Sequence, residues 1–390
     1  MDVGRTTDPR WVLAVDHGTT ATIGAVADVD PGDGWVRVAT VIVDGTTVVP
    51  SVVLSRPDGT VLSGRPALDA APSDPAAAVL RSRSFLASAT GGPDDAVLTT
   101  WPRPTTAVDA ATALIARVFH TEAARRGTLP ELLVLLHPAS WGEPAREALR
   151  SAGRAVLDAA SGGAGANGST PALLATPEAA AIRLGGNGPV LVVDVGGGGT
   201  EIAVVDREAT GGATVRPGAR MLDVGGEALD DALAQTVLDR AHPDLATRIR
   251  FGGDLDAHRA WFVLRSGIRS AKERLGAEGT VAVSLPVLPP ESPEPGTVTL
   301  THTDLGSLFA PGLEEIAKAV LDVLAGLEDP TPPPMLVRGG VTGLPGVRDW
   351  LAQRTGLALA TDGDAGPVAP PGAASGASAW GAAQRGLGRG

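Results

Sequence analysis

The sequence predicts an α/β protein built from two lobes, and three observations support this fold class. The chain has 390 residues, which is too many for one ordinary hydrophobic core and enough for two. Short apolar runs typical of strands alternate with longer amphipathic stretches typical of helices. The third observation is an internal repeat, in which one pattern of strand, turn and strand occurs twice.

The elements follow from the spacing of apolar residues. Continuous apolar runs typical of buried strands occur at 11–15, 132–136 and 190–193. Apolar residues recur every three or four positions in the segments predicted as helices, 107–126, 226–240 and 313–327. Surface loops are predicted where Gly, Ser or Pro accumulate, at 161–170, 286–296 and 329–334.

The repeat is visible when residues 190–206 are laid over residues 12–28. The two segments, VLVVDVGGGGTEIAVVD and VLAVDHGTTATIGAVAD, are identical at nine of seventeen positions. Each copy is a buried strand that ends in an aspartate, Asp16 or Asp194, followed by a tight turn and a second strand. The repeat therefore predicts two β-hairpins with an aspartate beside each tip.

Such tips suit a phosphate for physical reasons. Glycines let a turn expose successive backbone N–H groups and let a phosphate approach without a Cβ in the way. An aspartate at the strand end can hold Mg²⁺ through water, because magnesium keeps much of its hydration shell. We therefore expect Asp16 and Asp194 to hold Mg²⁺ through water on opposite walls of a cleft. The alternative is that both hairpins serve only as turns. His17 lies inside the first turn and is a candidate phosphate sensor.

The composition excludes several classes of function. The net charge of −12, from 32 Lys and Arg against 44 Asp and Glu, is unfavourable for binding nucleic acid or an anionic membrane surface. No cysteine is present, which excludes disulfides, thiolate metal sites and a cysteine nucleophile. The chain shows no signal peptide and no apolar run long enough to span a membrane, so a cytoplasmic protein is expected.

At the hairpin residues the sequence resembles the nucleotide-binding domain of Hsp70 chaperones, within the actin, Hsp70 and sugar-kinase superfamily. Further motifs follow in the family's order along the chain: Val49-Pro50-Ser51 with Asp58-Gly59, His137-Pro138-Ala139, Pro177-Glu178-Ala179, Gly225-Gly226-Glu227, Ser270 to Leu275, and Arg338 to Pro345. The resemblance implies an actin-like ATPase fold of two lobes, each with a ribonuclease H-like mixed sheet flanked by helices, with ATP or ADP and Mg²⁺ between them.

The resemblance also implies boundaries and roles for residues. Lobe I would comprise 11–181 and 366–390, closed by a helix near 375–386, and lobe II would comprise 182–365. Asp16, Thr19 and Asp194 would be catalytic. The nucleotide would contact the residues that match the family's motifs, which are Gly18, Thr19, Thr20, Gly196, Gly197, Gly198, Glu227, Lys272, Gly339 and Gly340.

Departures from the family pattern predict weak or absent ATPase activity. The family's catalytic lysine falls on Leu68, which cannot neutralise charge on a phosphate. Thr176 stands where the family has a glutamate, and the late metal-shell aspartate aligns near Ser375. One well-placed cation is worth about 10³ to 10⁵ in the rate of phosphoryl transfer. We therefore expect the chain to bind nucleotide but to hydrolyse it slowly or not at all.

Three functions remain open at this stage. The first is an Hsp70-like ATP-binding protein reduced to the nucleotide domain, acting as a chaperone-like or regulatory switch on a protein partner or client. The chain has no segment resembling a peptide-binding domain, so a partner would have to contact the lobes or the loop at 286–296, which is otherwise an inert tether. The second function is a pseudo-ATPase scaffold that binds little nucleotide. The third is a small-molecule kinase of the same superfamily.

Overall fold

A computed structural model describes residues 11–29, 36–88, 97–99, 102, 104–162, 170–288, 296–328 and 331–360. The predicted closing helix near 375–386, Ser375, the segment 366–390 of lobe I and most of the loop at 286–296 lie outside the described residues.

The strands of the described residues are β1 Trp11–His17, β2 Ala21–Val29, β3 Val36–Thr40, β4 Val49–Pro50, β5 Val52–Ser55, β6 Val61–Ser63, β7 Ala78–Leu80, β8 Val97–Thr99, β9 Thr105–Thr106, β10 Leu132–His137, β11 Ala172–Ala175, β12 Gly188–Val195, β13 Thr200–Arg207, β14 Ala213–Val215, β15 Arg220–Leu222, β16 Thr280–Ser284, β17 Thr297–Thr301 and β18 Met335–Arg338. The α-helices are α1 Arg65–Ala70, α2 Ser82–Ala87, α3 Ala107–Arg126, α4 Glu143–Ala160, α5 Thr176–Leu184, α6 Gly226–Arg240, α7 Pro243–Phe251, α8 Leu255–Glu278, α9 His302–Ala325 and α10 Val347–Thr355.

Two mixed sheets organise the molecule, and each contains one of the repeated hairpins. The first sheet has the order β11-β10-β1-β2-β3, with β4 paired to β2. The second has the order β14-β13-β12-β18, with β15 paired to β13. In each sheet the first hairpin strand pairs in parallel with a later strand, β1 with β10 and β12 with β18. The two hairpins therefore have equivalent sheet environments, which confirms the prediction made from the repeat.

Each sheet is covered by helices that bury its apolar residues. Trp11, Leu13 and Val15 of β1 face the core formed with α3 and α4. Leu191, Val193 and Val195 of β12 face the core formed with α6, α8 and α9. The intervening residues of both strands are also buried, on the opposite faces of the two sheets. Burial on both faces explains why these strands are continuous apolar runs.

Helix α5 lies between the sheets and connects them. Its residue Ala179 packs on the first sheet, whereas Ala180 and Ala181 pack on the second. The small alanine side chains let one short helix contact both sheets. The fold is thus an actin-like ATPase fold with two lobes of mixed sheet flanked by helices. The lobe boundaries at 181/182 and 365/366 stay a prediction.

The helix limits agree with the sequence at α3 and α6 and differ at α9. The apolar spacing predicted a helix over 313–327, but α9 covers His302–Ala325 and contains Pro311. The helix begins after Thr301, whose side chain accepts from the Asp304 backbone N–H, while the Asp304 carboxylate accepts from the Thr301 N–H. This capping box begins the helix before the proline, and the helical spacing of Leu305, Phe309 and Leu313 continues across it.

Candidate functional site

The two hairpin tips have the same backbone geometry. The Gly18 N–H donates to the Ala21 carbonyl at 2.9 Å, and the Gly196 N–H donates to the Gly199 carbonyl at 2.9 Å. Each tip is therefore a closed four-residue turn. Among the described residues, no hydrogen bond engages the two central N–H groups of either turn. These four N–H groups remain available for an anion.

The tips of the two hairpins meet across the cleft. A Cβ added to Gly197 would lie 2.5 Å from Oγ1 of Thr20, and a Cβ added to Gly198 would lie 2.4 Å from Oγ1 of Thr19. Such contacts are possible only because both positions are glycine. The structure therefore brings together the predicted phosphate-binding residues of both hairpins.

Asp16 and Asp194 lie at the base of this contact, and each has an arginine beside it. Nη1 of Arg83 is 3.3 Å from Oδ1 of Asp16, and Nε of Arg338 is 3.6 Å from Oδ2 of Asp194. Burial raises the pKa of the Asp16 carboxyl, whereas Arg83 acts in the opposite direction. The cleft thus contains two carboxylates and two guanidinium groups.

Sequence reasoning did not select either arginine for this site. Arg83 lies on α2, and its guanidinium carbon is 5.8 Å from the centre of the Trp141 ring. Arg338 is the last residue of β18 and pairs in register with Asp194. The only signal for Arg338 was its position directly before Gly339-Gly340, and Arg83 had no local signal.

Glu201 is a third acidic residue in this region. It lies opposite Asp194 in the β12–β13 register, is 4% exposed and accepts a hydrogen bond from the Ser140 N–H at 3.2 Å. Burial raises the pKa of Glu201 to about 7. A carboxyl group in this state carries less negative charge near neutral pH than an exposed glutamate.

His17 supports the first hairpin from inside. Its Nδ1 lies 3.1 Å from Oγ1 of Thr22, and its Nε2 lies 3.1 Å from Oγ of Ser82. Ser51 continues this network, because its hydroxyl donates to the Gly18 carbonyl at 2.8 Å. Burial lowers the pKa of His17 to about 3, so the ring is neutral. A buried, neutral ring with both nitrogens engaged contradicts the hypothesis that His17 senses a phosphate.

The second hairpin is fixed by the N-terminus of α6. The N–H groups of Gly226 and Glu227 donate to the carbonyls of Gly196 and Gly197 at 2.9 and 2.8 Å. Gly225 permits this approach, because a Cβ there would lie 2.6 Å from the Gly199 nitrogen. The start of α6 therefore sets the position of the second tip.

The charged ends of Glu227 and Lys272 are engaged within the protein. Nε of Arg81, which comes from the first lobe, is 2.5 Å from Oε2 of Glu227. Nζ of Lys272 donates to the Gly226 carbonyl at 2.8 Å and lies 2.7 Å from Oδ1 of Asp230. Glu227 therefore lies in the first turn of α6, and Lys272 of α8 contacts that turn, close to the second tip.

Gly339 and Gly340 follow β18 next to the second hairpin. Gly339 has φ of 101°, and a Cβ there would lie 2.3 Å from the Val195 carbonyl oxygen and 2.6 Å from Oδ1 of Asp194. A Cβ on Gly340 would meet no atom within 4 Å. Gly340 is thus the position of this pair with open space beside it.

The residues that depart from the family pattern have structural contacts of their own. Leu68 on α1 packs on an apolar cluster of the first lobe, which also receives Phe262 from α8. The Thr176 hydroxyl donates to the His137 carbonyl at 3.1 Å. Glu178, which belongs to the matching motif after Pro177, accepts from the Val215 N–H at 3.3 Å.

Comparisons with known proteins agree with this architecture. No protein-family model matches the chain. Among curated proteins, the chain is 29% identical over 398 residues to the chaperone protein HscA homologues of two Acidithiobacillus ferrooxidans strains, ATCC 53993 and ATCC 23270, covering 95% of this chain and 59% of theirs. It is 28% identical over 397 residues to the chaperone protein HscA homologue of Azotobacter vinelandii, covering 94% of this chain and 57% of that protein.

The chain therefore spans somewhat under three fifths of the length of these relatives. No helix in the described part of the chain combines the length and the apolar character that crossing a bilayer requires. HscA is a chaperone of the Hsp70 type. This chain is thus similar to Hsp70-type chaperones along 95% of its length, and its fold agrees with that similarity.

Proposed function

We propose that this chain binds ATP and ADP between its lobes and acts as an Hsp70-like switch on a protein partner. The observation that carries the proposal is the contact of two equivalent hairpin tips, Thr19 and Thr20 against Gly197 and Gly198. Turns of the same geometry offer backbone N–H groups to one polyphosphate from both lobes. The similarity to HscA chaperones supports the nucleotide and the protein partner as the ligand classes.

The nucleoside is proposed to lie beside α6, α8 and the turn at Gly339-Gly340. Lys272 acts there as a positioning residue, because its ammonium group is held by Asp230 and the Gly226 carbonyl. This contact fixes the start of α6, whose N–H groups hold the second hairpin. Gly340 leaves open space in which a base or ribose has room to approach.

Turnover is proposed to be slow or absent. Arg83 supplies a positive charge that Leu68 does not, but an attacking water also needs a carboxylate to orient it. In the described part of the cleft, Asp16 and Asp194 lie beside arginines, and Glu201 accepts a backbone hydrogen bond. The Thr176 hydroxyl is engaged with a carbonyl group. Binding therefore depends on groups that are present, whereas the three carboxyl groups that could orient an attacking water each contact another group of the protein.

Titration calorimetry with ATP and ADP tests the proposal. Gly197→Val places a branched side chain against Thr20 and should abolish the binding heat and the thermal stabilisation by nucleotide. Gly267→Val on α8 is the matched control, because a Cβ there meets no atom within 4 Å. It should retain the affinity of the unmodified chain. Equal affinities in the two variants, with both folded by circular dichroism, would refute binding at the hairpins.

A pseudo-ATPase scaffold is the second candidate, and the two ion pairs favour it. Asp16 with Arg83 and Asp194 with Arg338 satisfy charges at the cleft without any ligand. In this case the unmodified chain gives no binding heat at millimolar nucleotide. The same amount of protein partner would then co-purify with the chain in the presence and in the absence of ATP.

A further inference from the structure

The acidic residues of the cleft do not fit Mg²⁺ in the way that the sequence predicted. Magnesium demands an open octahedral shell of oxygens and usually takes one or two carboxylates with several waters. Here Asp16 and Asp194 each lie beside a guanidinium group, 3.3 and 3.6 Å away. A dication at this point would lie against two positive charges.

We propose that Arg83 and Arg338 take the place of the metal ion, so that the cleft binds ATP or ADP in its Mg²⁺-free form. The inference rests on the proposed binding of nucleotide between the hairpins. It names the cations that neutralise the phosphates and the form of the nucleotide that is recognised.

Arg83 is held against the first phosphate-binding turn. Its Nη1 atom lies 3.8 Å from the position that a Cβ on Gly18 would take, and the ring of Trp141 supports its guanidinium group. The contact with Asp16 uses Nη1. Arginine carries five N–H donors in a planar fork, so the remaining donors can bond phosphate oxygens while Asp16 stays in contact.

Arg338 enters the same cleft from the second lobe. Its side chain is 5% exposed, and it is the neighbour of Asp194 in the β12–β18 register. Guanidinium groups remain charged at all physiological pH values. A buried permanent cation is costly unless anions surround it, and a polyphosphate between the tips supplies further anions.

The two arginines lie on opposite lobes, as the two hairpins do. A polyphosphate bonded by both would therefore hold the lobes together through arginine forks and backbone N–H groups. Mg²⁺ would compete with the guanidinium groups for the same carboxylate and phosphate oxygens. The affinity for nucleotide is consequently expected not to increase when Mg²⁺ is added.

The test is calorimetric titration of the full chain with ATP and with ADP, once in excess EDTA and once in excess Mg²⁺. We expect the dissociation constant in EDTA to be equal to that in Mg²⁺ within about threefold, or lower. Binding that occurs only with Mg²⁺ overturns this inference and leaves the proposed function intact. No binding under either condition overturns both.

Variants test the two arginines directly. Arg83→Gln and Arg338→Leu should each weaken binding in EDTA by about tenfold or more, since a charge-assisted hydrogen bond is lost. In Arg338→Leu the affinity should now rise when Mg²⁺ is added. Arg338→Lys keeps the positive charge but lacks the planar set of guanidinium N–H donors. This variant replaces Arg338→Leu in the experiment if the Leu variant does not fold. Arg338→Lys should also weaken nucleotide binding in EDTA, as Arg338→Leu does.

Arg354→Leu is the matched control, because this arginine forms an exposed ion pair with Glu314 at 3.0 Å. It should bind nucleotide like the unmodified chain in both buffers. Unchanged affinity in EDTA for both Arg83→Gln and Arg338→Leu overturns the inference.

Discussion

Gly339 is the position at which the backbone of the cleft leaves no room for a side chain. Its φ of 101° lies in the region that favours glycine, and the Val195 carbonyl and the Asp194 carboxylate lie directly beside it. The chain needs this close approach because β18 pairs in parallel with β12 up to Asp194 and Arg338. One residue without a Cβ thus lets two strand ends and their charged side chains share the cleft.

Gly339→Ala should destabilise the protein strongly. The backbone conformation alone costs an alanine about 1 to 3 kcal/mol, and the contact with Val195 adds to it. The control is Gly346→Ala, which has φ of 80° but no atom within 4 Å of its Cβ. Urea denaturation followed by circular dichroism should show the larger loss for Gly339→Ala. Equal losses would mean that the close approach contributes nothing.

At the scale of elements, helix α9 shows how a local cap overrides a proline. Thr301 and Asp304 satisfy each other's backbone N–H groups, and Arg240 of α6 contacts the same carboxylate at 2.5 Å. The helix therefore starts before Pro311 and continues through it. This start places Leu305 and Phe309 in the core of the second lobe.

Asp304→Asn should cost about 1 kcal/mol of stability at pH 7, as is typical when a helix cap is weakened. The Arg240 side chain and the Thr301 cap lower the pKa of Asp304 below its ordinary value. A carboxyl with a depressed folded-state pKa stabilises the fold above its unfolded pKa of about 4 and loses this contribution as the pH falls further. The difference in melting temperature between Asp304→Asn and the unmodified chain should therefore shrink from pH 7 to pH 3.

Asp322→Asn is the control for this experiment. Asp322 lies on the same helix away from the cap, and its contact with Arg220 at 3.4 Å is exposed on both sides. Its effect should be close to zero at both pH values. A difference for Asp304→Asn that stays constant between pH 7 and pH 3 would contradict the titration argument.

At the scale of the whole molecule, a small set of contacts joins the lobes beside the cleft. Arg81 adopts φ of 60°, which is unusual for a residue other than glycine, and reaches Glu227 and Asp231 of α6. Phe262 of α8 packs on the apolar cluster of the first lobe. These contacts close the same cleft that the hairpin tips line, so they bias the arrangement of the lobes.

Arg81→Ala should let the lobes separate more readily, because it removes the ion pairs between them. We expect nucleotide to dissociate about tenfold faster, as stopped-flow release of a fluorescent nucleotide would measure, since breaking a charged pair at a partly buried site is worth about 1.4 kcal/mol. Arg265→Ala is the control, because Arg265 contacts Asp231 at 2.9 Å within the second lobe. Equal release rates in the two variants would show that the ion pairs of Arg81 between the lobes do not control the rate of nucleotide release.

Several parts of this protein could be predicted from sequence because their signals are local. The repeat at Asp16 and Asp194 indicated two hairpins, and both form with equivalent pairing. The limits of α3 and α6 agree with the predicted 107–126 and 226–240, since apolar spacing defines their buried faces. The apolar stripe predicts a helix from residue 313, whereas α9 begins at His302, because the capping box of Thr301 and Asp304 starts it eleven residues earlier.

The sequence by itself determined the strands β1, β10 and β12, the two hairpins and their glycine turns, because each depends on neighbours within a few residues. Only the tertiary structure decided which charges meet in the cleft. Arg83 reaches Asp16 from 67 positions away, and Arg338 meets Asp194 only because β18 returns to pair with β12. No pattern along the chain encodes such pairs, since their distance is set by how helices and strands pack after both lobes have folded.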